Sequence, residues 1–175
     1  GFNGLANYLQ ALQDPLYLKA LKNTLIYIIG NIFLAILSLF IAILIKELKS
    51  EKMARLYETL MIFPYVIPMV VTGIVFSFIF QPQIGLYSQI VKFLGFNSNY
   101  APLSHTLSAK IVIIVVWIFV YTGYMVNIYY TSLREIPDSY YEAAEIDGTN
   151  WFQKVRYITL PLLGNIFVYT LVTGI

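Results

Sequence analysis

The sequence contains no cysteine and a single histidine, His105. The first absence removes disulfides, thiolate metal sites and a cysteine nucleophile together. Charge is scarce too: Asp, Glu, Lys and Arg make up 11% of the 175 residues, against about 25% in soluble domains. Net charge is only +2, and no run of Lys and Arg is present to track phosphates, so nucleic acid is not expected as a partner. Residues Gly1 to Gln13 mix polar and aromatic types without a basic start, unlike a cleavable signal. The uncharged stretches described below hold no acid or base for a proton relay. With one loop histidine and no acid pair within a span, no nucleophile–base or metal constellation remains for an intramembrane enzyme.

What the chain has in abundance is apolar length. Hydrophobic residues make up 59% of it, and its mean hydropathy is +0.72. Crossing a hydrocarbon core takes about 20 consecutive apolar residues. Thr24–Ile45, Leu60–Phe80 and Ile111–Tyr130 are uncharged runs of that kind, and a fourth opens at Ile158 and is still apolar at Ile175. The expectation is an all-α polytopic helical membrane protein: a single transmembrane domain over 1–175, with spans near 24–45, 57–80 and 111–130, and an incomplete one over 162–175.

Basic residues orient the spans. The short loop after the first carries Lys46, Lys49, Lys52 and Arg55, whereas the much longer loop after the second carries only Lys92 and Lys110. The positive-inside rule places the former in the cytoplasm. Residues 81–110 then face outward, and the loop near 131–161 faces the cytoplasm.

Two features mark the spans themselves. Pro64 and Pro68 lie four apart on one helical face and free the carbonyls of Leu60 and Pro64, favouring a kink; Gly73 follows in the same span. The bend either lines a translocation path or serves packing. In the third span Tyr121, Tyr124 and Asn127 are spaced three apart and share a face. A polar amide in a span usually faces a bundle interior or cavity, so this face is a candidate path lining; helix–helix hydrogen bonding is the alternative for Asn127. Outside, Leu86, Ile90 and Leu94 recur every four residues, predicting a short amphipathic helix that caps the membrane interface or meets a partner. His105 is expected as a solvated loop residue.

The loop near 131–161 is the most informative stretch. Ser139 and Glu142 have capping-box spacing behind Ile136-Pro137-Asp138, predicting a helix over about Tyr140–Asp147. Gly148 supplies a left-handed C-cap. Thr149 is placed to cap a second helix, on which Trp151, Val155 and Ile158 form an apolar stripe. Pro161 suits the first turn of the next span. Ala143 and Ala144 allow close approach of another surface, Glu142 and Glu145 offer charge to a basic partner, and Trp151 and Phe152 offer apolar anchors. The element reads as a rigid docking knob.

Glu142-Ala143-Ala144, Gly148 four residues after Ala144, then Ile158-x-Leu160-Pro161 resembles the EAA loop of permease subunits of binding-protein-dependent ABC importers. Ile136-Pro137, Ile146-Asp147-Gly148 and Ile158-Thr159-Leu160-Pro161-Leu162-Leu163 are similar to the carbohydrate branch, which includes maltose-type and glycerol-phosphate-type permeases. Phe2-Asn3-Gly4-Leu5-Ala6-Asn7-Tyr8, Asp14-Pro15 and Ala20-Leu21-Lys22-Asn23-Thr24 resemble the outer segment after the first span in that branch. The resemblance implies a type I importer permease bundle, here lacking the first and the last spans, in a bacterial or archaeal cytoplasmic membrane. It also implies a second permease subunit, two cytoplasmic ATPase subunits and an external solute-binding protein. Coupling to the ATPase would fall to Glu142, Ala143, Ala144, Asp147, Gly148, Ile158, Leu160 and Pro161. Hydrolysis would belong to the partner, since no phosphate-binding G-x-x-x-x-G-K-[ST] loop occurs here, and no cofactor is expected of this subunit. The solute would be a sugar, with amino acids or phosphate as the alternative. A secondary transporter or channel would share the hydropathy but not the spaced element.

Overall fold

A bilayer offers no partner for an open backbone donor, so a spanning segment must close its hydrogen bonds within itself. The computed structural model describes residues 4–96 and 100–174, and every regular element among them is helical. Phe2, Asn3 and Ile175 lie outside the described residues. A short helix α1 (Ala6–Gln13) leads into α2 (Pro15–Lys46), which starts earlier than the uncharged run suggests. The Asp14 carboxylate accepts from the Leu16 N–H at 2.8 Å, and Pro15 fills the first helical position, where its missing donor costs nothing.

After α2 the chain folds back through α3 (Glu51–Val66) and α4 (Met69–Ile79). The sequence predicts one kinked span here; instead, two helices meet at 88°. Pro64 sits inside α3 without ending it. The break comes from Pro68, which forces the preceding Ile67 out of the helical region to φ −71°, ψ 129°. The Ile67 N–H falls back on the Pro64 carbonyl at 3.3 Å, so one of the two carbonyls expected to be free is occupied.

Next comes α5 (Leu86–Phe93). Its Leu86 and Ile90, with Leu94 just beyond, point outward, while Ser88 is buried and donates to the Gln81 carbonyl. His105 is exposed, as expected; it stands at the N-cap position of α6 (Thr106–Arg134) without a side-chain cap and stacks on Tyr100 at 5.0 Å. Then come α7 (Asp138–Ile146), α8 (Trp151–Lys154), a π turn over Val155–Thr159, α9 (Leu160–Leu162) and α10 (Gly164–Thr173). The fourth run is thus divided: Trp151–Leu162 meets α10 at 63°. By length and composition α2 and α6 each suffice to cross a membrane, and the two bent pairs qualify only when each is taken together.

Helix α6 is the axis. Both α2 and α3 pack along it, and α10 touches α2 and α6. Leu34, Ala42, Val126, Tyr129 and Leu133 form the centre of the core. Without a hydrophobic drive between helices in lipid, close approach and cross-helix hydrogen bonds must hold them. Gly123 provides the approach: a Cβ there would lie 1.7 Å from the Met61 carbonyl oxygen of α3. The hydrogen bonds join α10 to the rest, through the Tyr129 and Thr170 hydroxyls and through Asn31 Nδ2 donating to the Leu171 carbonyl at 3.1 Å.

Candidate functional site

The polar loop folds as a short, rigid hairpin of helices. Its first helix does not start as the Ser139–Glu142 spacing predicts. Pro137 holds the N-cap position, and Asp138 and Ser139 already lie in the first turn, so no side chain caps it. The end agrees with expectation. Gly148 stands at φ +74°, a conformation most side chains resist. Around it the Thr149 N–H bonds the Ala144 carbonyl and the Gly148 N–H bonds the Glu145 carbonyl, both at 3.0 Å. That pair of bonds is a Schellman closure. The Thr149 hydroxyl also donates to Ala144, at 2.6 Å, so Thr149 completes the first helix instead of capping the second. Asn150 caps α8, in a reciprocal box with Gln153.

The two alanines part company. Ala143 is exposed, whereas Ala144 is only 9% exposed and seats α7 on the chain itself. With Ala143, the residues turned to solvent are Tyr140, Glu142, Asp147, Gly148 and Ile146, the last 87% exposed. Phe152 adds a second bare apolar group at 64%. An isoleucine and a phenylalanine left this open beside carboxylates form a face shaped for a partner, with apolar anchors ringed by charge.

The inner side of the loop is tied down. Tyr141 and Thr159 share a hydroxyl hydrogen bond at 3.1 Å, joining α7 to the π turn. Lys154 pairs with Glu145 at 2.5 Å, joining α8 to α7. The Trp151 indole N–H donates to Glu47, beyond the end of α2, at 3.0 Å. Lys46 donates to the Leu133 carbonyl at 2.9 Å, and its ammonium lies 4.2 Å from the centre of the Tyr141 ring. Pro161 has no N–H to give to a preceding turn, and the wider π turn just before it absorbs the defect, with the Leu160 N–H reaching back to Val155. Ile158 is half-buried and Leu160 exposed on this segment.

A second constellation lies on the face of α6 that meets α3. Tyr121, Tyr124 and Asn127 do share one face, as their spacing predicts. Tyr65 of α3 stacks on Tyr124 at 4.6 Å and meets Tyr121 edge-on at 5.5 Å, and Trp117 continues the row at 3.9 Å from Tyr121. Nearer α7 along α6, Asn127 Nδ2 donates to Glu58 at 2.6 Å. An open groove of about 340 Å³ there is lined by Arg55, Glu58, Thr59, Ile62 and Asn127. Pro64 lies half-buried one residue from Tyr65, while Pro68 is exposed at the break. Glu58 sits two residues before the uncharged run used to judge this span, so the reading of an acid-free span missed it. Trp117, one turn before Tyr121, was also missed, as were Tyr65, Tyr141 and the inward roles of Lys46 and Glu47. Tyr141, Lys46 and Glu47 act through partners 18 to 104 positions away, beyond any helical periodicity. Among the described residues no cluster of His, Cys, Asp and Glu fit to hold a metal occurs.

Residues 36–175 match the family described as binding-protein-dependent transport system inner membrane component. The chain is 32% identical over 162 residues to the probable ABC transporter permease protein YurN of Bacillus subtilis, covering 91% of this chain and 56% of that one. It is 32% identical over 176 residues to the sn-glycerol-3-phosphate transport system permease protein UgpA of Yersinia pestis, covering 99% and 58%. With the arabinooligosaccharides transport system permease protein AraP of Bacillus subtilis it shares 33% over 177 residues, covering 99% and 55%. The chain therefore spans between 55% and 58% of the length of these relatives. Its fold is that of a chain in a bacterial ABC transporter involved in the import of the acidic polysaccharide alginate: TM-score 0.87, 21% identity, 99% of this chain and 60% of that one. A bacterial alginate ABC transporter in complex with an alginate pentasaccharide-bound periplasmic protein also matches, with a TM-score of 0.87 at 22% identity, covering 99% and 59%.

Proposed function

The chain belongs to the family of binding-protein-dependent transport system inner membrane components, and on that premise we propose that it is part of a permease subunit of an ATP-driven sugar importer. The observation that carries this is α7, a short helix closed at Gly148, presenting Glu142, Ala143 and Ile146 outward while Tyr141 and Ala144 hold it to the membrane helices. Such a helix can be gripped on one side and can pull on the other. In this reading α7 docks into a cytoplasmic ATPase subunit, Glu142 and Asp147 meet basic residues there, and Gly148 to Pro161 passes the displacement to α6 and α10. Ala144, Ile158, Leu160 and Pro161 keep the knob joined to α10. Hydrolysis takes place in the ATPase partner; this subunit transports and is not itself an enzyme.

A second permease copy or paralogue completes the path, a solute-binding protein delivers cargo from outside, and the assembly resides in a bacterial cytoplasmic membrane. Carbohydrate is favoured by relatives named for glycerol-3-phosphate and arabinooligosaccharides, and by the row Trp117, Tyr121, Tyr65 and Tyr124 ending at Glu58 and Asn127. Aromatic walls with a few placed polar groups suit a ligand whose rings are apolar on their faces and hydroxylated at their edges.

The test is co-purification of the full-length subunit with its ATPase, followed by Gly148→Val, which strains the turn at φ +74°. Insertion should persist while nucleotide-dependent transport or assembly is lost. Normal transport-linked hydrolysis in that variant would contradict the docking role.

A further inference from the structure

Lys46 and Glu47 lie at the end of a helix that is not contiguous with the loop, yet both hold it. Leu133 is 87 positions from Lys46, and Trp151 is 104 from Glu47. A lysine at the cytoplasmic end of a membrane helix normally extends its ammonium into water. Here it turns inward. The Leu133 carbonyl belongs to the last turn of α6, one of the groups a helix end leaves without an internal partner. Lys46 itself is in the last turn of α2. Two helix C-termini, each carrying partial negative charge, thus converge on one ammonium, with the face of Tyr141 as its third neighbour at 4.2 Å. Tyr141 in turn reaches Thr159. One cation therefore touches α2, α6 and α7 together, and Glu47 with Trp151 adds a second bond from the end of α2 to α8.

We propose that Lys46 and Glu47 are positioning residues that make α2 a third arm of the coupling element, so that α7 moves α2 as one body with α6. This rests on the ATP-driven reading above and adds to it. On the connectivity of the chain alone, displacement of α7 would travel only into α6 and α10. With the two bonds in place, the longest helix of the chain is driven as well.

No cysteine in these 175 residues competes with introduced labels, and any cysteine elsewhere in the subunit or in the ATPase is replaced by serine first. Spin labels at Lys49→Cys, beyond α2, and Ser139→Cys, on α7, are placed in the full-length subunit assembled with its ATPase in nanodiscs. Their separation is measured without nucleotide and after trapping with ATP and vanadate. A single distance, unchanged between the two states, is expected for the otherwise native protein. In the Lys46→Met/Glu47→Leu variant the distance should broaden and shift on trapping. Lys46→Arg/Glu47→Gln, which keeps a cation and an acceptor, should restore the single value, whereas a purely packing role would not be rescued this way. A distance that changes on trapping in the native background, or a Met/Leu variant that follows it unchanged, overturns the proposal. Should that variant fail to assemble, the native pair decides alone. If no ATPase assembles with the native subunit, the underlying reading falls first, and that outcome is visible before any distance is measured.

Discussion

The two ends of this molecule are built by different rules. At the end that carries α7, the helices α2, α6, α7, α8 and the π turn are joined by side-chain bonds between residues 9 to 104 positions apart: Lys46 to Leu133, Tyr141 to Thr159, Trp151 to Glu47 and Lys154 to Glu145. At the opposite end, α4 turns away at 88° and meets α6 through Phe76 on Phe119, while Phe93 and Phe96 stand open. Near water, polar bonds between helices compete with hydration, so a chain that makes several at once gains rigidity there for a reason. The opposite end, like the face of Ile146 and Phe152, keeps bare apolar surface, which lipid or a neighbouring subunit can cover. Stiffness where force would enter and adaptability where cargo would arrive is the division expected of a coupled transport subunit.

Glycine substitutions should separate the two ends most strongly. Gly123→Val should prevent formation of the bundle, because a Cβ would overlap the Met61 carbonyl; overpacking of this kind costs about 1–3 kcal/mol or more. The yield of folded, membrane-inserted protein reads this. Gly73→Ala, in α4, meets nothing within 4 Å and should leave that yield unchanged. Next comes Gly148→Val, which places a β-branched residue at φ +74°. The left-handed region costs about 1–2 kcal/mol for such a residue. Insertion should survive while ATPase co-purification drops, and Gly148→Asn should retain most of it.

Tyr141→Phe is a finer probe. It removes the bond to Thr159 and keeps the ring under Lys46, so the loss should be about 0.5–1.5 kcal/mol, read as a lowered Tm of the purified subunit. Least of all should follow from Arg55→Ala. Its pair with Glu51 is an exposed i,i+4 contact, the side chains 68% and 83% accessible. Exposed pairs of this sort contribute about 0–1 kcal/mol, and the Tm should hardly move. A large effect there would mean that the nearby groove depends on Arg55 more than on the Glu58–Asn127 bond.

Features governed by local chemistry could be read from the residues alone. The long apolar runs, the left-handed turn at Gly148, the shared face of Tyr121, Tyr124 and Asn127, and the disruption near Pro64 and Pro68 all follow from periodicity or from what Gly and Pro permit. Errors arose where two local signals competed. Pro137 took the N-cap position that Ser139 seemed to claim, and Asn150 displaced Thr149 because the Thr149 hydroxyl was already committed to Ala144. Pro68 acted through Ile67 and turned a kink into a corner. What no pattern disclosed was long-range pairing. Lys46 reads in sequence as a topogenic charge and Glu58 as a residue at the edge of a span. Their roles depend on which distant helix arrives beside them.

In the proposed reading α7 presents its exposed face to an ATPase. Replacing Ile146, 87% exposed, with a photo-crosslinking residue in the full-length subunit within its native membrane tests this most directly. An adduct with a cytoplasmic nucleotide-binding subunit, absent when the same residue replaces Phe93 at the opposite end, is the predicted result. Adducts with lipid alone, or the same partner captured from both positions, would contradict the account.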